Sequence, residues 1–216
     1  MVHCLGLNPK VLYLMLENPY SKAVFLKSAA KVMQLPEDSG YEVAFAGRSN
    51  AGKSSALNCL TGIKGLARTS KTPGRTQLIN LFNLDDERRL VDLPGYGYAK
   101  VALQVKMEWQ KHLAHYLDVR KSLKGLVLLM DIRHPLKDLD QMMIDWSLNR
   151  ELPVHILLTK SDKLSRSEVK NTVLKERRHY DLAEHLVTVQ AFSSSKKEGV
   201  AELIALLNQW FALSSS

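Results

Sequence analysis

Gly47-Arg48-Ser49-Asn50-Ala51-Gly52-Lys53-Ser54 is the stretch on which the fold turns. It matches G-x-x-x-x-G-K-[ST]. It follows the apolar run Tyr41–Ala46 and opens a helical stretch, Lys53–Leu60. Strand, glycine-containing loop and helix in that order are the context in which this motif holds phosphate. Phosphate groups carry dense negative charge. Backbone N–H groups from Gly47 through Ser55 converge on them, and the helix N-terminus adds positive potential. Lys53 reaches the β- and γ-phosphates in this reading, and the Ser54 hydroxyl ligates Mg2+.

Outward from this loop the chain alternates. Apolar runs rich in Val, Ile and Leu recur as Gln77–Leu84, Arg89–Leu93, Gly125–Asp131, Pro153–Thr159 and Leu186–Phe192. Several are nearly continuous, as strands buried on both faces require. Helical stretches fall at Leu103–Leu117, Leu139–Leu148, Ser167–Arg178 and Val200–Leu213. In the last, Val200, Leu203, Ile204, Leu206, Leu207 and Trp210 mark one apolar face. The pattern predicts an α/β fold with a mostly parallel sheet. Between 77 and 93 no helix separates two strands, so one strand there is expected to run antiparallel. Residues 21–35 leave open a short strand or a helix. Residues 1–21 read as a mobile N-terminal extension, 22–213 as a single domain and 214–216 as a tail.

Two further motifs fall at strand ends, where open α/β sheets bind ligands. In Asp92-Leu93-Pro94-Gly95 the carboxylate can hold Mg2+ through a water, and the Gly95 N–H can meet a γ-phosphate. D-x-x-G is weak alone; its position after the phosphate loop gives it weight. Thr159-Lys160-Ser161-Asp162 closes another strand. Guanine presents N1–H and a 2-amino group as adjacent donors, and one carboxylate accepts both. Adenine offers a bare acceptor at N1, which would leave Asp162 unpaired. The Lys160 stem can cover the base face. Ser193-Ser194-Ser195 follows the last strand, which Phe192 ends; backbone N–H groups there, from Phe192 through Ser194, can meet guanine O6. Together these residues select GTP and GDP over adenine nucleotides, which disfavours an ATPase or a small-molecule kinase.

The composition is that of a globular protein, with 45% hydrophobic and 24% charged residues in 216. Thirty Lys+Arg against 22 Asp+Glu give a net charge of +8. That excess reads either as a solvated basic surface or as a match to a polyanionic partner. Two cysteines, Cys4 and Cys59, form no disulfide framework or zinc-ligand spacing. No apolar run approaches the roughly 20 residues that span a bilayer, and the N-terminus lacks the plan of a signal peptide. The expected setting is the cytoplasm, away from membranes, and the expected state is a monomer.

In their order GRSNAGKS, TPGRTQ, DLPGYG, TKSD and SSS, the motifs resemble the translation-factor-like G proteins, and more narrowly the bacterial EngB (YihA/YsxC) family. The resemblance covers about residues 22–212. It implies a Ras-like three-layer P-loop G domain and a GTPase switch in assembly of the large ribosomal subunit, with rRNA or the subunit as partner and a link to septation and cell division. It implies that Gly74, Arg75, Thr76, Gln77 and Leu78 form the first switch, with the Thr76 hydroxyl completing the Mg2+ shell beside Ser54 and Asp92; Thr69 and Thr72 are nearby competitors, and Gly74-Arg75-Thr76 fits the motif best. Thr159 stands where most G proteins carry Asn, a departure shared with this family; weaker contacts between that loop and the phosphate loop are expected.

Catalysis in such a site is positioning and charge neutralisation. Lys53, Thr76 and the Gly95 N–H are the candidate catalytic groups. Many G proteins orient the attacking water with a Gln just after D-x-x-G; here that position is Tyr96. A phenol with a reference pKa of about 10 is a poor base near neutral pH, so intrinsic turnover is expected to be slow. Asn50 reads in two ways, as a loop-shaping residue or as a ligand holding K+ beside the phosphates. The basic segment Ile63–Arg75, with Lys64, Arg68, Lys71 and Arg75, is expected to be ordered by GTP and Mg2+. Tyr96 and Tyr98 are candidate contact side chains of the second switch. A second basic stretch, Lys163–Arg178, reads equally as a solvated helix face. The competing reading is a GTP-dependent rRNA- or ribosome-binding module with negligible turnover of its own.

Overall fold

A computed structural model describes residues 18–67, 78–97 and 103–213, with backbone alone over 103–110. Seven strands form one sheet in the order β1-β3-β4-β2-β5-β6-β7. They are β1 (Val24–Ala29), β2 (Tyr41–Gly47), β3 (Ile79–Asn83), β4 (Arg88–Asp92), β5 (Leu123–Asp131), β6 (Val154–Thr159) and β7 (Val187–Ala191). β3 pairs antiparallel with both β1 and β4, while β4, β2, β5, β6 and β7 pair parallel. One strand of the seven thus runs against the rest, as the missing helix between 77 and 93 predicts.

Among the described residues, five α-helices cover the two faces: α1 (Lys53–Thr61), α2 (Leu103–Val119), α3 (Asp138–Leu148), α4 (Arg166–His179) and α5 (Val200–Trp210). Alternate strand residues decide which helix meets which face. Ala44, Leu126, Leu128 and Ile156 pack with Leu113, Tyr116, Met143 and Ile144, so α2 and α3 lie on one face; Val169 and Val173 of α4 join them there. Val43, Phe45, Val127, Leu129 and Leu157 pack with Leu57, Leu60, Leu203 and Leu207, so α1 and α5 lie on the other. The central strands β2, β5 and β6 are buried on both sides, which is why their sequences read as nearly unbroken apolar runs.

The open segment 21–35 resolves into strand β1 followed by a short 3-10 turn, Val32–Gln34. Asn18 and Tyr20, placed by sequence in the extension, contact the domain. Asn18 caps a 3-10 turn over Pro19–Lys22 and donates from Nδ2 to Leu60 O. Tyr20 is fully buried, with its hydroxyl 2.8 Å from Asn208 Oδ1. At the far end of β2 a buried ion pair ties the sheet to α2: Arg120 Nε and Nη2 lie 2.9 and 2.7 Å from the Glu42 carboxylate. Loops at the carboxyl ends of β2, β4, β6 and β7 carry every sequence motif that falls on described residues.

Candidate nucleotide site

The loop after β2 turns on two backbone features. Asn50 has φ +64°, and Gly52 has φ +91° as it caps α1. Gly52 supplies a conformation that a side chain disfavours, and Asn is among the residues that tolerate it. Gly47 is the last residue of β2, where a Cβ would lie 2.7 Å from Leu129 O. Arg48, Ser49, Asn50, Gly52, Lys53, Ser54 and Ser55 line an open cleft, faced by Leu78, Asp92, Leu93, Pro94, Gly95 and Lys160. Ala51 is turned inward and 4% exposed. Lys53 Nζ and the Asp92 carboxylate form an ion pair at the floor of this cleft, and Asn80 Nδ2 approaches the other Asp92 oxygen at 3.4 Å.

The segment after β4 runs alongside the phosphate loop. Ser49 N donates to Tyr96 O at 2.7 Å and Tyr96 N to Gly47 O at 3.3 Å. The Tyr96 side chain, expected as an outward contact, is 2% exposed. Its hydroxyl donates to Asp140 Oδ1 at 2.6 Å. Asp140 also accepts from Lys137 N at 3.0 Å, at the start of α3. Burial raises the pKa of Asp140, opposed by the Tyr96 hydroxyl and the Lys137 N–H. Burial, and then the Asp140 charge, raises that of Tyr96. The phenol is a tether between the segment after β4 and α3.

Thr159 faces inward beneath the phosphate loop. It is 2% exposed, and Oγ1 lies 2.6 Å from Ala51 O and 3.0 Å from Met130 O. A hydroxyl therefore keeps the contact between this loop and the phosphate loop. Lys160 adds a second tie: its Nζ donates to Asn50 O at 2.8 Å and to Asp131 Oδ2 at 3.0 Å. Asp131 is a residue that the motif search missed, although it ends β5 where such sheets bind ligands. A hydrogen bond from Arg133 holds the Asp131 carboxyl well below the usual carboxylate range against the effect of burial, and Lys160 adds to the shift.

The base motif is held from β7. Ser193 is fully buried, and its hydroxyl donates to Asp162 Oδ1 at 2.6 Å. Lys163 Nζ lies 3.3 Å from Asp162 Oδ2. Ser193 first, with Lys163 and Ser195, lowers the pKa of Asp162. Ser161 N donates to Phe192 O, and Phe192 N to Leu158 O, locking the two loops together. Phe192 is itself fully buried, and Ser194 O accepts from Cys59 Sγ at 3.7 Å.

Gly74, Arg75, Thr76 and Gln77 lie outside the described residues, as do Arg68, Lys71 and Tyr98. Phe25, Ser28, Asn80 and Phe82 also line the cleft; Asn80 and Phe82 continue the TPGRTQ stretch into β3, whereas Phe25 and Ser28 come from β1, whose sequence carries no motif. Arg166, Lys170, Lys175 and Arg178 are all exposed along α4. Among the described residues no three His, Cys, Asp or Glu side chains cluster to hold a metal ion. None of their helices is long and apolar enough to cross a membrane.

Residues 42–160 match the family described as 50S ribosome-binding GTPase. The chain is 56% identical over 191 residues, 88% of its length, to 90% of a probable GTP-binding protein EngB from Hydrogenovibrio crunogenus. Among solved structures, a probable GTP-binding protein engB superposes with a TM-score of 0.65 at 21% identity, covering 80% of this chain and 100% of that one. Era in complex with MgGDPNP and a segment of 16S ribosomal RNA superposes at 0.60 and 19% identity, over 82% of this chain and 59% of Era. At those identities the superpositions speak to the fold.

Proposed function

We infer the function of this protein from the family to which it belongs: the chain is an EngB-type member of the 50S ribosome-binding GTPases, a P-loop protein that hydrolyses GTP to GDP and phosphate. In our reading it is a nucleotide-dependent switch in assembly of the large ribosomal subunit, with a family-linked role in normal cell division and septation. The observation that carries the guanine reading is Asp162, held by Ser193 at one end of a platform whose other end, through Thr159 and Lys160, is the phosphate loop. One rigid unit then reads the base and cradles the phosphates.

Within the site, the loop amides and Lys53 bind the β- and γ-phosphates, Gly95 N–H meets the γ-phosphate, and Asp162 selects guanine. The donors available for Mg2+ are hard oxygens, the Ser54 hydroxyl and the Asp92 carboxylate through water, joined by Thr76; one or two protein oxygens completed by phosphate and water suit that ion. Bound there, Mg2+ would neutralise charge developing on the phosphate oxygens. Lys53 and Asp92, paired with each other in this structure, would then each face an opposite charge of the nucleotide complex. The buried, tethered Tyr96 leaves no side chain at that position to orient the attacking water, so turnover without a partner is slow. K+ held near Asn50 offers one further source of charge neutralisation.

The ribosomal reading is supported by the family description and by the net charge of +8. Co-sedimentation with separated ribosomal subunits, in GDP and in a non-hydrolysable GTP analogue, tests it. Preferential recovery with the large subunit in the GTP-like state is expected; equal recovery with both subunits in both states refutes it. Single-turnover hydrolysis in matched K+ and Na+ buffers, for the parent and Asn50→Ala, tests the monovalent ion.

A further inference from the structure

A polar chain crosses β6 and β7 at the margin of the sheet, running from buried His155 to exposed Thr188 and half-buried Gln190. His155 is 4% exposed. Its Nδ1 lies 2.8 Å from Thr188 Oγ1 and its Nε2 lies 2.9 Å from Gln190 Oε1. A carboxamide oxygen can only accept, so the imidazole carries its proton on Nε2 and accepts from Thr188 at Nδ1. That tautomer has a consequence for Gln190. With its oxygen end fixed by His155, the NH2 end points the other way, and it donates to Gly199 O at 2.8 Å.

Gly199 closes the loop that follows β7 at the start of α5. It caps α5 with φ +81°, and a Cβ there would lie 2.5 Å from Ala191 O and 2.8 Å from Gln190 Nε2. Between Gly199 and β7 the loop closes on itself: Ser193 N donates to Glu198 O at 3.0 Å and Glu198 N to Ser193 O at 3.1 Å. Gln190 thus grips one end of a loop whose other end, Ser193, donates to Asp162.

We propose that Gln190, oriented by His155, is a positioning residue for guanine selectivity: by holding Gly199 it keeps the Ser193–Glu198 loop in the register that aims Asp162 at the base. The inference rests on the reading of Asp162 as the base-recognition carboxylate. The two ideas separate in one experiment. Hypoxanthine in IDP lacks the 2-amino donor of guanine, so the GDP-to-IDP affinity ratio reports Asp162 alone, while contacts to ribose and phosphates cancel.

The ratio is measured by competition against a fluorescent GDP analogue for the parent and Gln190→Met, which keeps the side-chain length and removes the amide. The parent should favour GDP by roughly tenfold or more, the value of a hydrogen bond to a charged acceptor. Gln190→Met should shrink that ratio at least about threefold by the same hydrogen-bond accounting, and should speed amide exchange at Ser193 and Glu198. Thr188→Val, at an exposed position that tolerates the change, should move the ratio the same way by less; it stands in if Gln190→Met does not fold. A parent without preference for GDP removes the Asp162 reading and this inference with it. A parent that discriminates, beside a Gln190→Met protein with lower affinity for both nucleotides and an unchanged ratio, overturns the positioning role and leaves Gln190 as a packing residue.

Discussion

Replacing Thr159 with Val removes one hydroxyl and almost nothing else. The two side chains have nearly the same shape, and the site is 2% exposed, so no bulk water takes the hydroxyl's place. The shorter of its two contacts, 2.6 Å to Ala51 O against 3.0 Å to Met130 O, marks where the proton goes. A buried carbonyl left without that donor costs about 1–3 kcal/mol. At this chain length each kcal/mol lowers the melting temperature by about 2–4 °C, so Thr159→Val should melt several degrees below the parent. The same carbonyl belongs to the phosphate loop, and a loop free to shift must be ordered again when nucleotide binds. GDP affinity should therefore fall about fivefold, equivalent to about 1 kcal/mol, as measured by calorimetry at 25 °C. Thr159→Asn, which restores a donor, should recover most of both losses. A Thr159→Val protein that melts early but binds GDP like the parent would refute the coupling, making Thr159 a core contact with no bearing on the phosphate site.

Asp162→Asn should weaken GDP binding roughly tenfold to a hundredfold, the value of charged hydrogen bonds. It should gain affinity for xanthine nucleotide, whose 2-oxo group accepts where guanine donates; unchanged GDP binding in a titration would remove the base assignment. Tyr96→Phe leaves Asp140 buried without its 2.6 Å donor and should cost about 1–3 kcal/mol in urea unfolding. GDP binding should stay near the parent's, because the backbone bonds to Gly47 and Ser49 remain. His155 is held neutral in the fold, chiefly by burial and helped by the Arg177 charge against the Gln190 hydrogen bond, which brings its pKa down from 6.5 to about 4. The unfolded chain therefore binds the extra proton first as pH falls. The stability in question is complete above pH 6.5 and lost on the way down to about pH 4. The parent should lose about 3 kcal/mol more over that range than His155→Gln, read as the difference between the two proteins' urea midpoints.

What could be read from the amino-acid order follows the physics of each element. β2, β5 and β6 are buried on both faces, so unbroken apolar runs reveal them. β1 resists reading because it is an edge strand: Val24, Phe25 and Leu26 are 65%, 53% and 40% exposed. A register shift between Phe25 and Lys27 also breaks its alternation. Asn18-Pro19, which looks like a breaker, is a cap and first residue of a 3-10 turn, and what recruits that turn to the domain is a carbonyl 42 residues further on. The same limit applies to the site. Contiguous motifs are legible, whereas Thr159 with Ala51, Lys160 with Asn50 and Tyr96 with Asp140 join residues 108, 110 and 44 positions apart. Residue type at the Gln position is plain from sequence; the direction of the Tyr96 side chain depends on a partner that no local pattern announces.

Those long-range ties have a common electrostatic logic. Three ion pairs stand at the site: Lys53 with Asp92, Lys160 with Asp131, and Asp162 with Lys163. The pairs differ in what a nucleotide would do to them. Asp131 also holds Arg133, so Lys160 can cover a base without leaving a bare carboxylate behind. Asp162 keeps its Ser193 donor on one oxygen while Lys163, whose side chain is 60% exposed, holds the other; an exposed ion pair is weak and easily exchanged. Lys53 and Asp92 are more enclosed, at 12% and 9%, and separating them requires both a phosphate for the lysine and a cation for the carboxylate. Base recognition can therefore proceed at little electrostatic cost, whereas full engagement of the phosphate end requires nucleotide and Mg2+ together.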